Sequence, residues 1–133
     1  MTANVVVGFI ENAEGAAALE AAIAETQRRN AHLILVNSAK GGREDEQHVV
    51  STRLAVERAS AELAELGLDF EVVEFARGND PATDLLDVAN ANGAELIVIG
   101  LRRRSAVGKL LLGSNSQTIL LGADCPVLAV KSK

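Results

Sequence analysis

Five short apolar segments alternate with four longer amphipathic segments along the chain, and this alternation constrains the fold more than any other feature. The apolar segments are rich in β-branched residues and predict strands at Asn4–Ile10, Leu33–Asn37, Asp69–Phe75, Glu95–Gly100 and Pro126–Val130. The other segments repeat apolar residues three or four positions apart, which predicts helices at Ala13–Arg29, Glu46–Leu66, Pro81–Ala91 and Ser114–Leu121. Strands that alternate with helices predict an α/β domain built on a parallel sheet, with right-handed crossovers and helices on both faces.

Residues at the ends of the predicted helices support these boundaries. Asp80 precedes Pro81, which is the usual order of a capping side chain and a proline in the first helical position. Residues suited to a left-handed C-terminal cap follow the four helices, namely Asn30, Gly67, Gly93 and Gly122. The chain shows neither an internal repeat nor a linker, so residues 1–133 are expected to form a single domain.

The composition disfavours several classes of partner. Aromatic residues are limited to three phenylalanines, which disfavours single-stranded nucleic-acid binding because that function relies on aromatic stacking. The single cysteine cannot form an intrachain disulfide, and no apolar run approaches the roughly 20 residues of a membrane span. We therefore expect a cytoplasmic protein with neither a nucleic-acid nor a membrane partner.

Charge is distributed unevenly along the chain. The net charge is −5, yet residues 101–133 carry six basic side chains and one acidic side chain. A basic segment within an acidic protein favours a small anionic ligand over a polyanion. The cluster Arg102–Arg104 is equally compatible with a solvated loop.

The segment Leu96–Val130 has the layout of an anion site. An apolar strand ends at Gly100, a cationic loop follows, and Gly113 precedes a helix that opens with Ser114, Asn115 and Ser116. Glycine allows a ligand to approach the backbone closely, and a helix N-terminus offers unpaired N–H groups with partial positive charge.

This segment resembles the nucleotide-binding pattern of the universal stress protein family. That pattern is Gly, two residues, Gly, nine residues, Gly, then Ser or Thr; Gly100, Gly113 and Ser114 match it, whereas Arg103 replaces the second glycine. The resemblance extends from Asn4–Gly8 through Gly78–Pro81 to the final strand. It implies an open five-stranded parallel sheet of order 3-2-1-4-5 with four helices, the Rossmann-like, adenine nucleotide alpha hydrolase-like fold.

With that strand order, a ligand crevice is expected between strands 1 and 4, at their carboxyl ends. Family members bind ATP there, so the resemblance implies ATP or AMP as ligand, with Mg²⁺ only if ATP binds. Val36 and Leu101 would flank the base, and Val36–Ser38 would form a side wall. The residues expected at the site are Phe9, Ile10, Val36, Gly100, Leu101, Arg103, Gly113, Ser114, Asn115 and Ser116.

Each of these features also has a purely structural interpretation. Gly100 could serve a sharp turn, and Gly113-Ser114 could be an ordinary helix cap, since serine is a preferred cap residue. Arg103 could contact a phosphate or fill the pocket, and Ile10 stands where ATP-binding relatives carry an acidic residue. The alternative hypothesis is therefore a dimeric interaction module with a degenerate site that binds no nucleotide, whose basic loop docks an acidic partner.

The sequence offers no apparatus for catalysis and no metal site. His32 and His48 lie on different predicted elements, and the serines near residue 114 lack a histidine base nearby. We expect a protein that is not an enzyme, although slow ATP hydrolysis stays open. Cys125 is expected to pack as a small apolar residue where the last strand starts.

The last strand, Pro126–Val130, would be an apolar edge of the sheet. Such an edge invites pairing with another chain. Because family members dimerise through this strand, the resemblance implies a homodimer through Pro126–Val130.

Overall fold

The computed structural model describes residues 2–38, 46–75, 80–101 and 113–132. In chain order the elements are β1 (Asn4–Gly8), α1 (Ala13–Arg29), β2 (His32–Ser38), α2 (Glu46–Glu65), β3 (Phe70–Phe75), α3 (Pro81–Ala91), β4 (Leu96–Leu101), α4 (Ser114–Gly122) and β5 (Val127–Lys131). All strand pairs are parallel, and the order is β3-β2-β1-β4-β5. The predicted sheet and strand order are confirmed, and most predicted boundaries are within one residue of the observed ones.

The sheet is buried on both faces, which explains why its central strands read as unbroken apolar runs. Val5 and Val7 of β1 face a core cluster formed with α1 and α2. Val6 of the same strand faces a second cluster formed with α3 and α4. Because successive side chains of a strand point to opposite faces, the prediction of helices on both faces is confirmed.

The first strand ends earlier than predicted, at Gly8 rather than Ile10. The backbone turns because the Ile10 carbonyl accepts a hydrogen bond from Asn12 N–H at 2.9 Å, and the Asn12 side chain caps α1 by accepting from Gly15 N–H at 2.8 Å. A Cβ on Gly15 would lie 1.8 Å from the Ile10 carbonyl oxygen. The start of α1 therefore packs directly on the loop at Phe9 and Ile10, which had been predicted to belong to the first strand.

Three of the four predicted C-terminal caps are confirmed, because Asn30, Gly67 and Gly93 adopt positive φ angles of 51°, 71° and 57°. The fourth prediction was wrong, because Gly122 is itself the last residue of α4 and the C-cap residue that follows it, Ala123, is extended. A Cβ on Gly122 would lie 2.9 Å from Leu86 Cδ1, so α4 packs closely on α3 there, although a shift of the leucine side chain would relieve the contact.

The predicted cap of α3 is present. The Asp80 carboxylate accepts from the backbone N–H of Thr83 at 3.3 Å and from its hydroxyl at 2.7 Å. Within the described residues, no helix is long and apolar enough to cross a membrane.

Candidate functional site

A cavity of about 570 Å³ opens at the carboxyl edge of the sheet. It lies where the strand order reverses, between β1 and β4, on the face covered by α3 and α4. In a parallel sheet each helix begins near the carboxyl end of the strand before it, so the N-terminal residues of α1, α3 and α4 converge on this cavity. Its volume falls within the range of about 300–1,000 Å³ that is typical of small-molecule sites.

The structure brings nine of the ten predicted site residues to this cavity. The tenth, Arg103, lies outside the described residues, as do Arg102, Arg104 and Lys109. The nine that line the cavity are Phe9, Ile10, Val36, Gly100, Leu101, Gly113, Ser114, Asn115 and Ser116. The end of β4 and the start of α4 therefore line the same cavity.

The start of α4 presents backbone N–H groups to the cavity. Gly113 is the N-cap residue, and the helix has no side-chain cap. The first hydrogen bond of the helix runs from Gln117 N–H to the Gly113 carbonyl at 3.0 Å, so the three preceding N–H groups have no partner within the helix. Of the pair Gly113-Ser114, for which an ordinary helix cap was the alternative interpretation, Gly113 occupies the N-cap position and Ser114 is the first helical residue.

Gly113 and Gly100 are glycines for different reasons. A Cβ on Gly113 would meet no described atom within 4 Å, and its φ of −67° suits any residue. Neither backbone conformation nor packing among the described residues requires glycine there, which leaves room for a ligand to approach. A Cβ on Gly100, in contrast, would lie 2.0 Å from the Glu14 carbonyl oxygen. Gly100 therefore allows α1 to pack on β4, and it does not serve a left-handed turn.

The opposite wall is formed by the loop after β1 and the end of β2. Phe9 N–H donates to the Val36 carbonyl at 2.9 Å, and the Phe9 carbonyl accepts from the buried Asn37 side chain at 3.0 Å. These two bonds hold the loop against β2 after the regular pairing of β1 has ended. The neighbouring Ile10 side chain is 44% exposed and lines the cavity.

The charged residues among the described lining are two glutamates, Glu11 and Glu14. Glu11 accepts a hydrogen bond from the Ser51 hydroxyl of α2, which ties it to that helix. The described wall thus combines N–H groups and hydroxyls at the start of α4 with carboxylates near the start of α1. An anion at the α4 end would interact favourably with the helix N-terminus, whereas the carboxylates near the start of α1 would disfavour it.

Part of the site was not predicted from the sequence. Pro81, Ala82 and Leu85 of α3 and Thr52 of α2 also line the cavity. Behind them, the buried Asp84 carboxylate accepts from the Ser38 hydroxyl at 2.5 Å. One signal was available: Asp84 lies four residues before the apolar Val88 and so falls on the inward stripe of α3.

Titratable groups elsewhere contribute little to this site. His32 lies at the opposite edge of the sheet, with its ring nitrogens 3.0 Å from Asp69 Oδ2 and 3.0 Å from Glu71 Oε2. Cys125 packs beside the cluster under α3 and α4, and burial together with the charge of Asp124 raises the pKa of its thiol. The described part of the chain contains no group of three or more His, Cys, Asp or Glu residues arranged to hold a metal ion.

Comparison with known proteins identifies relatives along the whole chain. The model of the Universal stress protein family matches residues 1–131. A universal stress protein of Mycolicibacterium smegmatis is 40% identical over 131 residues, which is 96% of each chain. The solved universal stress protein from Archaeoglobus fulgidus superposes with a TM-score of 0.79 at 30% identity, covering 98% of this chain and 100% of that one. The structure of the universal stress protein from Archaeoglobus fulgidus in complex with dAMP gives 0.70 at 25% identity, covering 98% of both.

Proposed function

Because this chain belongs to the universal stress protein family, we propose that its cavity binds an adenine nucleotide, ATP or AMP, as a regulatory signal. The protein would be a cytoplasmic stress-response protein rather than an enzyme that consumes the nucleotide. The observation that carries the proposal is the N-terminus of α4, which has Gly113 as N-cap and no side-chain cap, at the predicted spacing from Gly100. The dAMP complex of the Archaeoglobus fulgidus relative supports the same ligand class.

The phosphate end of the ligand would lie at the start of α4. The N–H groups of Ser114, Asn115 and Ser116 supply donors, and the helix dipole adds partial positive charge. The open space at the Gly113 Cβ position allows phosphate oxygens to reach these donors. Arg103 would add a charged contact there. Mg²⁺ would bind only together with ATP, because the phosphates supply the hard oxygen ligands that it requires.

The base would lie between Val36 near the end of β2 and Leu101 at the end of β4. Val36 and Leu101 belong to the apolar cluster under α3 and α4, and both line the cavity. Their side chains provide the apolar surface against which a purine can pack, as is usual for small-molecule sites.

Calorimetric titration of the purified protein with AMP, ATP and ATP plus Mg²⁺ tests this proposal. We expect a dissociation constant below about 1 mM for at least one nucleotide. Gly113→Val should weaken binding about tenfold or more, because the new side chain occupies the space open to phosphate. The control is Leu66→Ala, at a position that is 46% exposed and does not line the cavity, which should bind like the wild type. If none of the nucleotides gives a heat of binding at millimolar concentration, the proposal is refuted.

The protein would act as a homodimer through β5, from Pro126 to Val130. The two edge strands of the sheet differ in whether charged side chains protect them from pairing with a strand of another chain. The β3 edge carries the exposed charges of Glu71 and Glu74, which discourage strand pairing, whereas Val127–Val130 are uncharged and half-buried. The 87% exposed Leu121, on the helix directly before β5, adds apolar surface for a partner to cover.

A proline at Ala129 tests the dimer. Ile97 N–H donates to the Pro126 carbonyl and Ser132 N–H donates to the Leu101 carbonyl, so even-numbered residues of β5 bond to β4. By the alternation of a strand, the N–H of Ala129 faces the free edge. Light scattering should give twice 13.9 kDa for the wild type and 13.9 kDa for Ala129→Pro. A wild-type monomer, or an unchanged dimer in the variant, would contradict the proposed interface.

The second candidate is a dimeric module whose cavity holds no nucleotide. The exposed apolar Ile10 and the carboxylates of Glu11 and Glu14 at the cavity favour it, because none of them suits an anion. The double variant Ile10→Asp with Arg103→Gly distinguishes the candidates. Nucleotide binding that appears only in the double variant identifies the natural site as degenerate.

A further inference from the structure

We propose that His32 is a pH-sensitive clip that holds the edge strand β3 on the sheet while its ring is protonated and loosens this hold when the proton is lost. His32 is the first residue of β2, and β3 pairs with β2 at the edge of the sheet opposite β5. The inference requires neither the nucleotide nor the dimer proposed above, because it concerns a different part of the sheet.

The His32 ring lies between two carboxylates at the start of the edge strand. Nε2 is 3.0 Å from Oε2 of Glu71 in β3, and Nδ1 is 3.0 Å from Oδ2 of Asp69, directly before β3. The His32 side chain is 18% exposed. The backbones also meet there, because Leu33 N–H donates to the Asp69 carbonyl at 2.9 Å. Three side chains therefore join the two strands at their start.

Protonation of the ring determines how many of these bonds can form. A protonated imidazole donates from both nitrogens, whereas a neutral imidazole donates from one nitrogen and accepts at the other. An ionised carboxylate only accepts, so a neutral ring satisfies one carboxylate and turns a lone pair toward the other. Loss of the proton therefore removes one charge-assisted bond between β2 and β3 and weakens the bond that stays.

Other charged groups do not replace these carboxylates at the ring. Side chains two residues apart in a strand share a face, so His32 lies with Ile34 on the face that α3 and α4 cover. β1 places the uncharged Asn4 beside His32. On α3, Asp84 is hydrogen-bonded at the carboxyl end of the sheet and Asp87 is exposed, and α4 carries no charge. The charged groups at the end of α1 and before β4 pair with one another, namely Glu25, Arg28, Arg29 and Glu95.

The two carboxylates also set the pH range of the clip. Desolvation lowers the pKa of His32, but hydrogen bonds and charge from Glu71 and Asp69 outweigh this effect and leave the pKa above its usual value. The clip is therefore fully formed below the unfolded pKa of about 6.5, and it weakens as the pH rises through the folded-state pKa.

Release of β3 would uncover an apolar strand. Leu33–Val36 of β2 are at most 2% exposed. An apolar strand with unpaired N–H and C=O groups pairs readily with another chain. The clip therefore protects β2 from such pairing at acidic pH, and this protection decreases toward alkaline pH.

Hydrogen exchange at two backbone amides tests the clip, after correction for the intrinsic effect of pH on exchange. Leu33 N–H bonds across the boundary between β2 and β3, whereas Glu95 N–H donates to the Asn4 carbonyl at 2.8 Å in the middle of the sheet. From pH of about 6 to about 8.5, the protection of Leu33 should fall about threefold relative to that of Glu95. This size is expected for ion pairs whose carboxylates are largely exposed.

Three variants identify the groups responsible. Asp69→Asn and Glu71→Gln each remove one carboxylate charge while keeping the side-chain shape. Each should reduce the pH dependence at Leu33 and lower the pKa of His32 measured from its ring signals by nuclear magnetic resonance. The matched control is Glu74→Gln, at an exposed position on the opposite face of β3, which should change neither. Thermal unfolding verifies that each variant is folded.

The remaining outcomes would overturn the clip. An equal fall in protection at Leu33 and Glu95 would mean that His32 acts on the whole domain rather than on β3. Protection at Leu33 that does not change with pH would also refute the proposal. So would carboxylate variants at Asp69 and Glu71 that behave like Glu74→Gln.

Discussion

Replacing Gly100 by alanine should destabilise the protein strongly, although the substitution adds one methyl group. The new Cβ would lie 2.0 Å from the Glu14 carbonyl oxygen and 2.5 Å from its carbon, whereas real Cβ atoms essentially never approach closer than 3.0 Å. The first turn of α1 would have to move about 1 Å away from β4. Because the obstacle is backbone, no change of rotamer relieves it. We expect a cost of about 3 kcal/mol, at the upper end of overpacking effects.

Urea unfolding followed by circular dichroism measures this cost. In thermal unfolding, the melting temperature of the variant should be about 10 °C below that of the wild type. Gly113→Ala is the matched control, because its methyl group meets no described atom within 4 Å. That substitution should cost about 1 kcal/mol or less, through the weaker cap that alanine provides. If Gly100→Ala proves as stable as the control, the assignment of Gly100 to the contact between α1 and β4 is wrong.

Two further predictions concern the stability of the domain. Burial lowers the pKa of His32, but hydrogen bonds to Glu71 and Asp69 outweigh this effect and leave the pKa above its usual value. A group whose pKa is raised in the folded state stabilises the folded protein fully below its unfolded pKa of about 6.5. This contribution is lost as the pH rises through the folded-state pKa. The difference in unfolding free energy between wild type and His32→Gln should therefore shrink from pH of about 6 to about 9, and a constant difference would disprove it. Asp80→Ala should cost about 1 kcal/mol in urea unfolding, because it removes the cap on Thr83; no measurable loss would contradict that role.

The fold was largely predictable because its strands are buried on both faces and its helices are amphipathic. These two patterns are local, so the chain displays them without reference to tertiary contacts. The order of the strands was not available from the alternation, and it came from the family resemblance. The early end of β1 was not predicted, because it depends on the turn at Ile10 and on the packing of the start of α1 against it, which an apolar strand pattern does not reveal. The pattern also ended α4 one residue early, before Gly122.

In the site, too, features that follow from local sequence patterns were predictable, whereas contacts between distant residues were not. The spacing of Gly100, Gly113 and Ser114 predicted the shared cavity, because parallel strands bring their carboxyl ends to one edge. The physical reason for Gly100 lies in a contact with Glu14 that is remote in sequence. The bond between Ser38 and Asp84 joins residues on β2 and α3, and neither residue alone suggests a pair.

The most direct test of nucleotide binding in this cavity is to follow the backbone amide signals of ¹⁵N-labelled protein by nuclear magnetic resonance while AMP is added. We expect the largest shifts at Gly113–Ser116 and Gly100 and smaller shifts at Val36, whereas the signals of His32 and Glu71 at the opposite edge should stay unchanged. An absence of shifts at millimolar AMP, or shifts centred away from α4, would contradict this expectation.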